Sequence, residues 1–210
     1  MRQIEKTRKT KETDIIVNIN IDGLGNSEIK TGIEFLDHLL PSFALCGFFD
    51  LNILSKTELG VGAHKANEDL GAVLGQAFKE ALGKKEGIKR FGCAYVPIGQ
   101  ALARVAVDAK GSGELCFTTI PPEAMNLEGS PVNFTTTSAS KENYSLMDLR
   151  IFVESFAKHS GITLNIGVLQ KDDIHHQAEA ILSALGIALD EAIQIDSRRK
   201  VVLSAGQQRV

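Results

Sequence analysis

The chain repeats itself. His64-Lys65-Ala66-Asn67-Glu68 falls on His175-His176-Gln177-Ala178-Glu179 at a spacing of 111 residues. The register then persists, with Leu74, Gly75, Ala77, Glu80 and Ala81 meeting Leu185, Gly186, Ala188, Glu191 and Ala192. Upstream, Ser42-Phe43-Ala44 recurs as Ser155-Phe156-Ala157, and Leu51-Asn52-Ile53 as Leu164-Asn165-Ile166, both at a spacing of 113. The two-residue change of register falls within 55–63 and 168–174. Chance can supply one such triplet but not an ordered series, so the chain is an internal duplication. It must fold as two like halves, 1–95 and 96–210, that together make one unit.

Each half carries the same coarse plan. Residues 14–22 alternate apolar and polar as a half-buried strand does, and Gly23 and Gly25 supply the turn after it. Residues 33–46 place Ile33, Leu36, Leu39 and Leu40 at helical spacing, with Pro41 expected to kink or interrupt the helix. A strand follows at 48–54, then an amphipathic helix over 66–83 that stops at Gly83. The second half repeats the order with a strand at 102–108, a helix at 148–158, a strand at 162–169 and a helix at 176–193. Between them, 118–145 is rich in Pro, Thr and Ser and reads as a long loop or flap. The expected fold is α+β, with duplicated βαβα-type halves and helices packed between two mixed or antiparallel sheets.

Composition removes several classes of function. Hydrophobic residues at 43% and charged residues at 23% are the balance of an ordinary globular protein, and 210 residues can bury a substantial core. A net charge of -3 leaves no basic excess to neutralise phosphates, which argues against a nucleic-acid binder. No apolar run approaches the ~20 residues of a spanning helix, and the charged N-terminus lacks the apolar stretch of a signal peptide. Three cysteines without CxxC spacing fit a reducing compartment. A cytoplasmic protein without nucleic-acid or membrane partners is expected.

The chain has five histidines, and four of them fall at related places in the duplication: His38, His64, His175 and His176. In a helix, residues i and i+4 share a face, so His64 with Glu68, and His175 with Glu179, can each hold one cation. His176 is rotated by about 100° from His175 and points to a different place. A lone HxxxE is most often a solvated surface pair; two copies within a duplication weigh towards metal. Zn²⁺, Mn²⁺ and Fe²⁺ all suit such donors. His159 has no counterpart and reads as an exposed loop residue.

"GIEFLDHLL", "HKANED", "GIKRFG", "TLNI" and "HHQAEA", in that order, resemble the imidazoleglycerol-phosphate dehydratase family over about Arg8 to Ala192. The resemblance implies a hydro-lyase of histidine biosynthesis acting on a small-molecule substrate. It further implies a homo-oligomer built from trimers, up to 24 subunits, with two Mn²⁺ per active site at subunit interfaces. Carried over by position, one metal set is His38, Lys65, His175 and Glu179, and the other is His64, Glu68, Ile151 and His176. Arg90 takes the place of a phosphate contact, Ser204 that of a phosphate-binding serine, and Glu12 that of a catalytic acid/base. Two cations holding the substrate's imidazole would stabilise charge while a weakly acidic C–H is broken and water leaves.

Against that pattern the chain departs where the chemistry is. The duplication pairs Lys65 with His176 and Ile151 with His38, so each metal set lacks one ligand. The family's acidic pair after a proline is Gly99-Gln100, its phosphate-binding arginine is Ser112, its "TLHI" histidine is Asn165, and the tail has no matching lysine. These changes predict one cation per subunit where an intact site takes two, held by His64, Glu68 and His176, with the Lys65 set empty. They leave two further readings beside a working dehydratase: an enzyme with a different substrate, or a non-catalytic paralogue that keeps the oligomer and a metal or small-molecule pocket.

Overall fold

The computed structural model describes residues 2–10, 12–57, 63–119 and 144–199. In chain order these form β1 (Gln3–Lys9), β2 (Thr13–Asn20), β3 (Ser27–Lys30), α1 (Glu34–Cys46), β4 (Asp50–Thr57) and α2 (Ala63–Leu82). The second half follows as β5 (Phe91–Ile98), β6 (Ala101–Asp108), β7 (Leu115–Thr119), α3 (Leu146–Ser160), β8 (Thr163–Gln170) and α4 (Ile174–Ile193). The duplication is therefore complete, element for element. Each half makes one four-stranded mixed sheet, ordered β1-β2-β4-β3 and β5-β6-β8-β7. Within each sheet one edge pair is parallel, β3 with β4 and β7 with β8. The expected fold class is present, with two strands per half beyond the βαβα outline. The seam expected at 95/96 lies inside β5, the strand that opens the second half.

The added strands carry weak signals for physical reasons. β1 is an edge strand of mostly charged residues with none fully buried, so its alternation has no apolar face to reveal it. β5 buries Gly92 and Ala94 while exposing Phe91 and Tyr95, the reverse of the usual pattern. Pro41 does not break α1, which runs unbroken from Glu34 to Cys46 and buries Leu36, Leu39, Leu40 and Phe43. Burial of that face outweighs the one backbone hydrogen bond that proline cannot make. Of the expected loop at 118–145, Thr118 and Thr119 belong to β7, Tyr144 and Ser145 precede α3, and the rest lies outside the described residues.

The helices lie between the sheets, and they pair across the duplication. α2 covers β1 and β2, α1 covers β3 and β4, α4 covers β5 and β6, and α3 covers β7 and β8; α1 then packs on α4, and α2 on α3. Both pairs use the same close approach. A Cβ at Gly75 on α2 would lie 2.6 Å from the Phe156 carbonyl oxygen on α3, and one at Gly186 on α4 would lie 2.5 Å from the Phe43 carbonyl oxygen on α1. Gly75 and Gly186, like Phe43 and Phe156, are equivalents in the duplication. Around these contacts Phe43, Phe49, Phe78 and Phe156 form a chain of aromatic rings that joins the halves.

Gly186→Ala therefore destabilises the protein despite the ~1 kcal/mol that alanine gains over glycine as a helix former. The methyl meets backbone, which cannot swing aside, and overpacking of this kind costs about 1–3 kcal/mol or more. Urea unfolding should show a lower midpoint for Gly186→Ala and for Gly75→Ala; a raised midpoint for both would mean that the helix pairs can part freely.

Candidate metal and ligand site

The cross-half pairing decides which site residues meet. His38 projects from α1 and His175 and Glu179 from α4, and the α1–α4 contact brings all three together. The imidazole rings of His38 and His175 stack with centroids 5.0 Å apart. His175 Nε2 lies 3.6 Å from Glu179 Oε2, and Ser42 Oγ donates to Glu179 Oε1 at 3.5 Å. Phe35, stacked on Tyr144 with centroids 4.5 Å apart, sets its ring edge-on to His175. Tyr144 donates its hydroxyl to Asn67 Oδ1 at 2.8 Å, and burial pushes its pKa up, so it stays a neutral donor. Two imidazoles, a carboxylate and an aromatic wall from α1, α4 and the entry to α3 thus form one partly exposed half-site.

The equivalent place on α2 and α3 looks different. His64 and Glu68 line a cleft of about 260 Å³ with Ile151, Glu154, Ser155, Lys158 and His159. Ile151 stands where the duplication has His38, and Ser155 stands where it has Ser42. The Ser155 hydroxyl donates to the Glu68 backbone carbonyl at 2.7 Å. His159 lies in the last turn of α3, not in a loop, because Gly161 takes the left-handed cap and lets the helix run through Ser160. Its Nδ1 sits 2.8 Å from the Ser155 carbonyl oxygen. Sequence reasoning missed His159 as a cleft residue; its i+8 spacing from Ile151 was the available signal.

Lys65 turns back along its own helix. Its ammonium donates to Asp69 Oδ1 at 3.1 Å and to Glu68 Oε2 at 3.3 Å. Asp69 is almost wholly buried and is met also by Arg8 at 3.1 Å and by the Thr13 hydroxyl at 3.2 Å. The hydrogen bond to Asp69, more than any other contact, holds the Lys65 pKa above the usual lysine value. Lys65 is therefore charged at neutral pH, and one of the metal-type carboxylates, Glu68, is bonded to it. Glu12 sits in the β1–β2 turn, exposed, one residue from Thr13 and hence at this end of the molecule.

His176 stands apart from His64 and Glu68 within one chain. Its Nδ1 lies 2.8 Å from Asp172 Oδ2 and 3.3 Å from Asp173 Oδ2, and its backbone N–H is capped by Asp173 at 2.8 Å. Among the described residues, Asp172, Asp173 and His176 are the one group of three His, Cys, Asp or Glu side chains whose ligand-type atoms all lie within 4.8 Å of one another; His38, His175 and Glu179 stand further apart than that. Within one chain, His64 and Glu68 on α2 therefore do not meet His176 on α4. The same holds for Arg90, which lies beyond the start of β5 while His176 faces the turn at its other end. Nine steps of extended chain, from Arg90 to Gly99, separate those ends by roughly 30 Å. Arg90 donates two hydrogen bonds of 2.9 Å to Asp108, with its guanidinium over the Phe91 ring at 4.7 Å. Ser112, at that same end, donates its backbone N–H to Thr163. Asn165 accepts from Arg104 at 2.8 Å. Ser204 lies outside the described residues.

Comparison with known proteins gives the family. Residues 31–189 match the family model of imidazoleglycerol-phosphate dehydratase. The chain belongs to the imidazoleglycerol-phosphate dehydratase family. It is 44% identical over 204 residues to an imidazoleglycerol-phosphate dehydratase of a Thermoanaerobacter species, covering 97% of each chain. It is 43% identical to one of Methanocella arvoryzae, covering 98% and 99%. Among solved structures, dehydratases of Pyrococcus furiosus (TM-score 0.72, 32% identity, 92% and 96% coverage) and Staphylococcus aureus (0.70, 26%, 92% and 100%) share its fold. No described helix is long and apolar enough to cross a membrane.

Asp69 is the hub of the α2 end. Asp69→Ala leaves Thr13, Arg8 and Lys65 without their shared acceptor and lowers stability by about 1–3 kcal/mol, read from urea unfolding at neutral pH. Because the Lys65 pKa is raised on folding, its contribution to stability is complete below the ordinary lysine value and fades only as pH climbs through the raised one. The penalty of Asp69→Ala should accordingly be unchanged between pH 6 and pH 9 and shrink above that range. A penalty that disappears already near pH 7 would contradict the bonding of Lys65 to Asp69.

Proposed function

We propose that this family member is a cytoplasmic homo-oligomer that binds an imidazole-type small molecule at one divalent cation per subunit, Mn²⁺ by family chemistry. In this reading most of the family's dehydration rate is lost. The observation that carries the reading is the Lys65 ammonium bonded to Glu68 and Asp69. It ties up the carboxylate of the α2 half-site and puts a positive charge beside the place a second cation would occupy, where like charges repel strongly. Within one chain, and among the described residues, no lysine or arginine is bonded to His38, His175 or Glu179. This assignment places the single cation on α1 and α4, rather than on His64, Glu68 and His176.

The donor chemistry fits. Two imidazoles and one carboxylate on facing helices are a suitable set for a divalent transition metal that retains an open position. A cation there would act as a Lewis acid toward a ligand nitrogen. The chain's own residues do the rest. Phe35 and Tyr144 wall the site on one side, and Ser42 steadies Glu179. Glu12 would hold or move a proton. Arg90 already gives the Nε and Nη2 side of its guanidinium to Asp108, and Ser112 offers no charge, so a phosphorylated substrate is gripped loosely. Loose orientation is costly in catalysis.

Three measurements test this. Light scattering should give trimers or larger particles, and a stable monomer at micromolar concentration would remove every site shared between subunits. Metal analysis after dialysis should find one Mn²⁺ per subunit, none in the double variant His38→Ala/Glu179→Gln, and two in Lys65→His, which frees Glu68 and adds an imidazole. Two tightly held equivalents in the unaltered protein would overturn the assignment. Turnover of imidazoleglycerol phosphate with added Mn²⁺ should be about a thousandfold or more below that of an intact relative, a barrier increase of at least ~4 kcal/mol. Full complementation of a dehydratase-deficient strain, abolished by Glu12→Gln, would show that the family reaction survives.

A further inference from the structure

The β5–β6 turn and the start of α4 touch at one point. The turn has two residues, Gly99 and Gln100, between Ile98 and Ala101. Gly99 occupies the first of the two places with φ +56°, as tight hairpins of this length favour. Over it lies Asp172, in the link between β8 and α4. Asp172 Oδ2 accepts the Gln100 N–H at 2.9 Å and faces His176 Nδ1 at 2.8 Å, while Oδ1 accepts the Asp173 N–H at 2.9 Å. Gln177 donates its side-chain amide to the Asp172 carbonyl and so pins the same link.

We propose that Asp172 is the positioning residue of His176, fixing the tautomer that turns its Nε2 lone pair outward, and that Gly99 is the residue that makes room for this pair. An ionised carboxylate can only accept, so the Nδ1 facing it must carry the proton. The neutral ring then keeps its lone pair on Nε2, as carboxylate-held histidines do when they serve as ligands. The backbone is held as well as the ring, because Asp173 caps the His176 N–H. The Asp172 oxygens face N–H groups of three residues, Gln100, Asp173 and His176, which suits an orienting role. A Cβ at position 99 would stand 2.7 Å from Asp172 Oδ2 and 2.8 Å from His176 Nδ1.

The test uses the metal-free full chain, so its first arm does not depend on the proposed cation. Long-range ¹H–¹⁵N spectra of histidine-labelled protein, with His176 assigned by loss of its signals in His176→Gln, should show the Nδ1–H tautomer. Asp172→Asn, whose amide can donate, should shift His176 toward the Nε2–H form with an unchanged circular dichroism spectrum. Gly99→Ala should disturb the same signals. A His176 found as Nε2–H in the unaltered chain, or indifferent to Asp172→Asn, overturns the proposal. The second arm rests on the one-cation reading. In Lys65→His, Asp172→Asn should weaken the second Mn²⁺ by about 10- to 100-fold and leave the first unchanged. Equal affinity for the second Mn²⁺ with and without Asp172 also overturns it, whereas failure of Lys65→His to gain any second Mn²⁺ counts against the one-cation reading alone.

Discussion

Two glycine-to-carbonyl contacts hold the molecule in the arrangement on which everything else depends. Gly75 against Phe156, and Gly186 against Phe43, let each long helix lie directly on the short helix of the other half. A side chain at either glycine would push the axes apart and open the aromatic chain that fills the centre. With the approach made, residues more than a hundred positions apart become neighbours. His38 comes to His175, and His64 and Glu68 come to the face of α3. Neither half alone contains a site.

The duplication makes two equivalent places in the fold, and their residues differ. The α1–α4 place keeps two imidazoles and a carboxylate. The α2–α3 place has an isoleucine for one imidazole and a lysine that binds the neighbouring carboxylates. Charge balance explains why the lysine is tolerated. Asp69 is buried and would be costly alone; Arg8 and Lys65 both neutralise it, and Thr13 completes its hydrogen bonding. The α2 end thus holds a cation of its own, the Lys65 ammonium.

The turn at Gly99 follows the same logic on a smaller scale. Read along the chain, glycine and glutamine in place of two acids look like a loss. In space the glycine sits beneath a carboxylate from another element, with no room for a side chain between them. Arg90 is the opposite case: it is present in sequence yet already bonded to Asp108.

The sequence by itself determined the duplication, the family and the order of the main strands and helices, and it named the histidines and glutamates that are candidates for a site. These are legible because matched residues at a fixed offset, apolar periodicity and i, i+4 spacing are properties of the chain alone. It did not reveal β1 or β5, whose faces lack the usual alternation, the short edge strands β3 and β7, or the unbroken α1, where burial of one apolar face overrides Pro41. Nor could it say that His159 lies on a helix facing Glu68, that Lys65 points to Asp69, or that Asp172 stands over Gly99. Those were decided by tertiary structure, because a hydrogen bond or an ion pair depends on distances of about 3 Å between atoms that only packing of helix on helix and turn on helix brings together.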